Sequence, residues 1–304
     1  MTDPMKVLIA YDGSACADAA LDDLQRAGLP DEVEFKVLSV IENWLPPPSG
    51  LEIIEHIDRN QEHLTLAMRA AKRMHESRPG WKAKAEVGIG SPASVILEKA
   101  DEWKPELIVL GAHGRSAVGR LFFGSVSQKV LHEASCPVRV AREPIEKPDT
   151  PVRLIIGFDG SAGAKEVVRV VTARNWPQAC EARIVYAAWP SLEFSPQPLV
   201  GKIADWIAEE DLRIKRKVDA VVGDLNAAGL RTKAVIKAEE PKRLLIDEAE
   251  SWKADCIFVG ARGLGRLERL RLGSVSSAVA ARAHCSVEVV QKNIAMGIWT
   301  PFSA

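Results

Sequence analysis

The chain has 304 residues, of which 47% are hydrophobic and 27% are charged, and its formal net charge at pH 7 is −1. A near-neutral globular composition offers no basic surface for nucleic acid or for an anionic membrane, so neither is expected as a partner. No apolar run reaches the roughly 18–20 residues of a membrane span, and no signal peptide is visible before the first strand, so we expect a cytoplasmic protein.

Short apolar runs alternate with helix-period segments along the chain. In the first half, strands are predicted at about 6–11, 35–41, 84–87, 107–110 and 138–141, and helices at about 15–27, 58–77, 92–103 and 126–134. In the second half, strands are predicted at about 152–158, 182–187, 232–236, 256–259 and 286–290, and helices at about 163–174, 199–228, 241–252 and 275–283. Strands that alternate with helices predict an α/β fold of parallel sheet with helices on both faces.

The second half of the chain repeats the first. Residues 107–140 and 256–289 align without gaps and share 15 identities in 34 positions. The sequence therefore predicts two domains, 1–145 and 146–304, each large enough for its own core. A segment at about 143–150 contains two prolines and is predicted to be the linker. The last residues, at about 291–304, have no counterpart in the first half and are predicted to form a tail.

A glycine-punctuated loop lies between a predicted strand and a predicted helix in each half. Its spacing is identical in the two copies: Gly111, Gly114, Gly124 and Ser125 in the first, and Gly260, Gly263, Gly273 and Ser274 in the second. Glycine lets backbone N–H groups approach an anion, and the helix N-terminus adds partial positive charge. The pattern therefore predicts a phosphate site in each half.

An aspartate ends the first strand of each half, at Asp12 and Asp159, and each is followed by Gly-Ser. In an open parallel sheet, ligands bind beyond the carboxyl ends of the strands where the strand order reverses. If the first and fourth strands are neighbours, each aspartate faces the glycine loop and can accept hydrogen bonds from a base or a ribose hydroxyl. The alternative is that both aspartates cap the next helix or hold a turn.

With these motifs the chain resembles a tandem universal stress protein, a family whose nucleotide-binding members share the loop G-x2-G-x9-G-[ST]. The resemblance covers nearly all of the chain. It implies two tandem open parallel five-stranded sheets of strand order 3-2-1-4-5 with helices on both faces. It also implies that the protein binds ATP or another adenine nucleotide, with Mg²⁺ expected beside a triphosphate. Finally, it implies an intrachain pseudo-dimer paired through the last strands, and it leaves a homodimer open.

The resemblance also implies site residues, position by position. Asp12 would meet the adenine or ribose beside Ala10 and Tyr11, and Val40 would line the adenine pocket. The residues implied around ribose and phosphates are Gly111, Gly114, Gly124, Ser125, Val126 and Ser127. The matching positions in the second half are Gly157, Phe158, Asp159, Ala187, Gly260, Gly263, Gly273, Ser274, Val275 and Ser276. Arg120 and Arg269 are equivalent to each other and are candidates either for polyphosphate contacts or for solvated arginines at a helix end.

The function expected from these features is that of a nucleotide-binding regulator in the stress response. One alternative is slow ATP hydrolysis in the same pocket, although the sequence shows no base to activate water and no metal-ligand cluster. His113 is replaced by Arg262 in the second copy, which disfavours a shared catalytic role. A second alternative is a nucleotide-independent scaffold for protein partners that the sequence does not identify. The intact loops in both copies argue against the scaffold.

Overall fold

The computed structural model describes residues 3–42, 52–113, 123–143, 150–188, 200–263 and 272–291. In the first half the elements are β1 (Met5–Ala10), α1 (Ala15–Leu24), β2 (Val33–Ile41), α2 (Glu52–Ser77), β3 (Trp81–Ile89), α3 (Pro92–Trp103), β4 (Leu107–Gly111), α4 (Ser125–Glu133) and β5 (Val138–Ala141). In the second half they are β6 (Arg153–Gly157), α5 (Ala162–Thr172), β7 (Glu181–Ala187), α6 (Val200–Ala227), β8 (Arg231–Lys237), α7 (Pro241–Trp252), β9 (Cys256–Gly260), α8 (Ser274–Arg282) and β10 (Ser286–Val290). Most of the predicted linker and nearly all of the predicted tail lie outside the described residues.

The strands form one sheet in the order β3-β2-β1-β4-β5-β10-β9-β6-β7-β8. The predicted order 3-2-1-4-5 is thus confirmed in each half, and all pairs within a half are parallel. The two five-stranded sheets are continuous, because β5 and β10 pair antiparallel with Arg139 opposite Glu288.

The central strands are apolar on both faces because helices cover both. Val7, Leu8 and Ile9 of β1 are fully buried, as expected for parallel sheet between two helical layers.

The helices that follow β1 and β6 begin at a serine N-cap, since the hydroxyls of Ser14 and Ser161 accept from the backbone N–H of the third residue on. These turns fix where the chain leaves the sheet.

The predicted end of α1 is wrong by three residues. The helix ends at Leu24, and residues 25–27 continue as a tight turn in which each N–H bonds to the carbonyl three residues earlier. Gly28 then has φ of +64°, a left-handed conformation that ends helical geometry. The periodicity of the side chains continues through this turn, so the sequence pattern does not reveal it.

The two faces of the sheet are covered differently. On one face, α3, α4, α7 and α8 pack on a single apolar core that contains residues of both halves. On the other face, α1 and α2 cover one core and α5 and α6 cover a second.

Among the described helices, none combines the length and the hydrophobicity required to cross a membrane.

Candidate functional site

A crevice opens in each half at the carboxyl ends of the first and fourth strands. These strands are neighbours, and the strand order reverses between them. The cavity volume is about 410 Å³ in the first half and about 370 Å³ in the second. Both volumes fall within the range of roughly 300–1,000 Å³ typical of small-molecule sites.

The structure brings most of the sequence-predicted site residues together around these crevices. The first crevice is lined by the predicted Ala10, Tyr11, Asp12, Val40, Gly111, Gly124, Ser125, Val126 and Ser127. The second is lined by the predicted Gly157, Phe158, Asp159, Ala187, Gly260, Gly263, Gly273, Ser274, Val275 and Ser276. Gly114, Arg120 and Arg269 lie outside the described residues.

The two aspartates hold a turn as well as line a crevice. Oδ1 of Asp12 accepts from the backbone N–H of Ser14 at 3.0 Å, and Oδ1 of Asp159 accepts from that of Ser161 at 2.9 Å. The glycine between each pair has φ of 75° or 79°, so the turn requires glycine there. One oxygen of each aspartate carboxylate therefore holds the turn, which is one of the two alternative roles. The helices α1 and α5 are capped by the serines Ser14 and Ser161 instead.

The loop glycines are required for close packing. A Cβ on Gly111 would lie 2.9 Å from the backbone of Cys16, and one on Gly260 would lie 2.8 Å from the backbone of Gly163. A Cβ on Gly263 would lie 2.4 Å from Oδ2 of Asp159. Glycine at these positions lets the ends of β4 and β9 approach α1 and α5, and lets the loop backbone reach the carboxylate.

The helices α4 and α8 begin at the edge of the crevices. Their N-caps, Gly124 and Gly273, provide no side-chain hydrogen bond to the first turn. Ser125 and Ser274 follow and are exposed at the first helical position. An anion in the crevice would therefore face backbone N–H groups, an exposed hydroxyl and the positive end of a helix dipole.

The serines at the third helical position have a structural role that the sequence analysis missed. The hydroxyl of Ser127 donates to the carbonyl of Gly111 at 2.8 Å, and that of Ser276 bonds to the carbonyl of Ala261 at 3.1 Å. Both side chains are buried. Their hydroxyl protons are thus engaged with the backbone, although both serines line the crevices as predicted.

Tyr11 contributes its ring to the first crevice but directs its hydroxyl elsewhere. The hydroxyl donates to Oδ1 of Asp18 at 2.7 Å. Burial and this hydrogen bond raise the pKa of Tyr11 to about 12, so the phenol stays neutral at physiological pH. In the second half Phe158 replaces it, and no hydroxyl is needed there.

Several lining residues were not expected from the sequence. His63 reaches the first crevice from α2, with Nδ1 2.9 Å from Oγ of Ser39, and Glu42 lines the same crevice. His113 also lines the first crevice, and its buried Nδ1 has no hydrogen-bond partner in the described part of the chain. Arg262 is the equivalent residue in the second crevice and is exposed.

The apolar walls also include residues that the repeat alone could have identified. These are Leu38, Pro92 and Ile96 in the first crevice and Val185, Pro241 and Leu245 in the second. Each belongs to an aligned pair of positions, so a comparison of the two halves around α3 and α7 would have found them.

The crevices, the loops and the doubly wound sheet define a tandem α/β protein with two equivalent clefts. The profile of the Universal stress protein family matches residues 4–142 and again 152–291. The chain therefore belongs to the universal stress protein family, and membership in it supports a role in the stress response.

Some relatives match nearly the whole chain, and others match about half of it. Universal stress protein Rv2005c of Mycobacterium tuberculosis is 26% identical over 305 residues, which cover 96% of this chain and 100% of that protein. The universal stress protein in the QAH/OAS sulfhydrylase 3′ region of Thermus aquaticus is 34% identical over 142 residues, which cover 45% of this chain and 97% of that protein. The crystal structure of a universal stress protein from Archaeoglobus fulgidus shares the fold, with a TM-score of 0.64 and 23% identity over 94% of this chain and 96% of that one.

Proposed function

We propose that each crevice binds an adenine nucleotide, ATP or a related adenylate, and that the protein acts in the cytoplasm as a nucleotide-dependent regulator of the stress response. The observation that carries the proposal is the repetition of one arrangement. In both halves a carboxylate, a glycine loop and the N-terminus of a helix face the same cavity where the strand order reverses. This is the position at which open α/β sheets bind their ligands.

Each part of a nucleotide has a matching surface in the crevice. The aliphatic wall around Val40 and Ile96, or around Ala187 and Leu245, suits a purine. The aspartate carboxylate can accept from a ribose hydroxyl or a base N–H, a charge-assisted hydrogen bond worth about 1.5–3 kcal/mol. The helix N-terminus stabilises a phosphate by about 0.3–1 kcal/mol, and more where it is sheltered from water.

A divalent ion would enter with the nucleotide. Within the described ranges, no group of three His, Cys, Asp or Glu side chains is placed to hold a metal. Mg²⁺ commonly retains several waters and binds through substrate phosphates. We therefore propose that any Mg²⁺ is coordinated mainly by the phosphates.

Calorimetric titration with ATP and Mg²⁺ tests the proposal. The wild-type protein should bind nucleotide, and the double variant Asp12→Asn/Asp159→Asn should bind it at least about tenfold more weakly. Asparagine keeps the Oδ1 acceptor for the turn, so circular dichroism should be unchanged. Asp224→Asn, on the exposed face of α6, is the matched control. A wild-type protein that shows no binding at millimolar ATP rejects the proposal.

A further inference from the structure

Charged residues are buried where the two halves meet. In the antiparallel pair of β5 and β10, Arg139 is opposite Glu288, and Nη1 lies 3.1 Å from Oε2. The exposed fractions of the two side chains are 1% and 0%. Two charges withdrawn this completely from water are stable only when they are paired.

Arg139 and Glu288 each have a second ion-pair partner, which comes from the same half of the chain. Asp23 of α1 receives two hydrogen bonds from Arg139, at 2.5 and 2.9 Å. Arg174, after α5, forms an ion pair with Glu288. We refer to Asp23, Arg139, Arg174 and Glu288 as the junction cluster.

Further polar contacts cross the junction around the cluster. Ser286 donates its hydroxyl to Asp23 at 2.7 Å, and Nη1 of Arg174 donates to the carbonyl of Ala27 at 2.9 Å. Arg26 makes two hydrogen bonds to Asp255, at 2.9 and 3.0 Å. The first half thus bonds to the second through oppositely charged or complementary groups at several points.

Arg139 stays ionised. Burial alone would lower the pKa of Arg139, but the charges of Asp23 and Glu288 outweigh burial and raise this pKa well above its ordinary value. The guanidinium therefore faces the junction as a full positive charge at any physiological pH.

The apolar residues that are paired between β5 and β10 cannot distinguish one half from the other. Val138 and Val140 align in the repeat with Val287 and Val289, so both strands present valine at the same positions. The residue between them differs, because arginine in the first half is replaced by glutamate in the second. Position 139 and its equivalent, 288, face each other in the observed register.

Pairing of two identical halves would place like charges face to face. Two first halves in this register would bring Arg139 against Arg139, and two second halves would bring Glu288 against Glu288. Opposed residues in an antiparallel pair have Cα atoms only about 4.5–5.5 Å apart, where like charges are destabilising. Each like pairing would also lose one flanking contact. The pair of Arg26 with Asp255 would be lost between two second halves, where Ala173 replaces Arg26, and the bond that Arg174 donates would be lost between two first halves, where Ala27 replaces Arg174.

We infer that the junction cluster makes the pairing heterotypic: the last strand of a first half fits the last strand of a second half and rejects another copy of itself. The partner surface is therefore the complementary half, within one chain or exchanged between two chains. Electrostatic complementarity acts here as the element that excludes the wrong partner.

The test uses the folded full-length protein with a protease site inserted between residues 142 and 152. After cleavage, isotope-labelled and unlabelled samples are mixed in urea just below the unfolding transition until the label has exchanged between complexes. Native mass spectrometry then separates first–second pairs from first–first and second–second pairs. We expect first–second pairs to exceed either of the others by more than about tenfold. A statistical mixture of the three in the wild-type protein overturns the inference, whatever the variants do.

Charge-reversal variants test whether the preference for first–second pairs comes from the charges of the junction cluster. Arg139→Glu places two carboxylates face to face, the new one and that of Glu288, and should reduce the preference at least about tenfold. When this cleaved variant is mixed with cleaved Glu288→Arg, the fragment with Arg139 should select the fragment with Glu288. Arg216→Glu, an equal charge change at an exposed position of α6, should keep the wild-type distribution. If Arg139→Glu also keeps it, the cluster does not select the partner.

Discussion

Gly260 at the end of β9 and Gly163 in the first turn of α5 are in backbone contact, so that a Cβ on Gly260 would lie 2.8 Å from the carbonyl carbon of Gly163. The first half has the same approach between Gly111 and Cys16. This contact brings the strand end, where Gly111 or Gly260 lines the crevice, against the first helix of the same half.

Gly260→Ala and Gly111→Ala should each destabilise the protein by about 1–3 kcal/mol, because a Cβ must displace backbone atoms that cannot rotate away. The free energy of unfolding from urea denaturation measures this. The control is Gly223→Ala on the exposed face of α6, where a Cβ meets no atom within 4 Å. That change should stabilise the helix by about 0.5–1 kcal/mol. Equal effects at Gly260 and Gly223 would contradict the packing role.

Ser127→Ala should cost about 1–2 kcal/mol of stability, because it removes the hydrogen bond to the carbonyl of Gly111 inside the protein. Ser125→Ala should change stability by less than about 0.5 kcal/mol, since this serine is exposed at the helix start. Denaturation measures the first effect. If the proposed function holds, nucleotide titration should show weaker binding for Ser125→Ala. A stable Ser127→Ala protein would show that its hydroxyl is not needed for the loop.

Val40→Trp and Ala187→Trp should each block one crevice, because both residues line the cavity wall and indole fills much of a cavity of this size. Calorimetry with ATP should give half the wild-type stoichiometry for each single variant and no binding for the double variant. Loss of both sites in a single variant, with the fold intact by circular dichroism, would contradict independent crevices.

Glu248 should contribute to stability at neutral pH and lose that contribution in acid. Its carboxylate is near Nη1 of Arg183 at 3.0 Å and near Nζ of Lys237. Burial would raise its pKa, but the two cations outweigh burial and hold the pKa below its ordinary value of 4.5. A depressed carboxyl pKa stabilises the fold above the unfolded-state pKa, and this stabilisation is lost as the pH falls through the folded-state pKa.

Glu248→Gln should therefore be less stable than the wild type at pH 7, with a difference that shrinks as the pH falls below about 4.5. Urea denaturation across this pH range measures it. Glu98→Gln, at an exposed position of α3, serves as the control and should follow the wild-type curve. A Glu248→Gln deficit that is constant with pH would exclude an ionic contribution.

Local pattern is sufficient to predict most of the fold. The glycine loops and the repeat can be recognised in contiguous residues, whereas the strand order of each half is predicted from the family resemblance. The predicted limits of β3 are too short, at 84–87 instead of Trp81–Ile89. This strand is at the edge of the sheet and carries exposed charges at Lys82 and Lys84, which weaken its hydrophobic signal.

Features that depend on contacts between distant segments could not be predicted. His63 reaches the first crevice because α2 packs against β2, and no motif near His63 indicates this. The inward direction of the Ser127 hydroxyl depends on how α4 docks on Gly111. The opposite charges of Arg139 and Glu288 at equivalent positions are visible in the aligned repeat. That the two side chains face each other follows only from the antiparallel register of β5 and β10.

The apolar core shared by α3, α4, α7 and α8 contains side chains of both halves, so the two halves should unfold as one cooperative unit. Loss of structure in either half would expose the side chains on which the other half rests. Heating should therefore produce a single melting transition in calorimetry. By mass action, a small molecule held by one domain would also raise the temperature at which its neighbour melts.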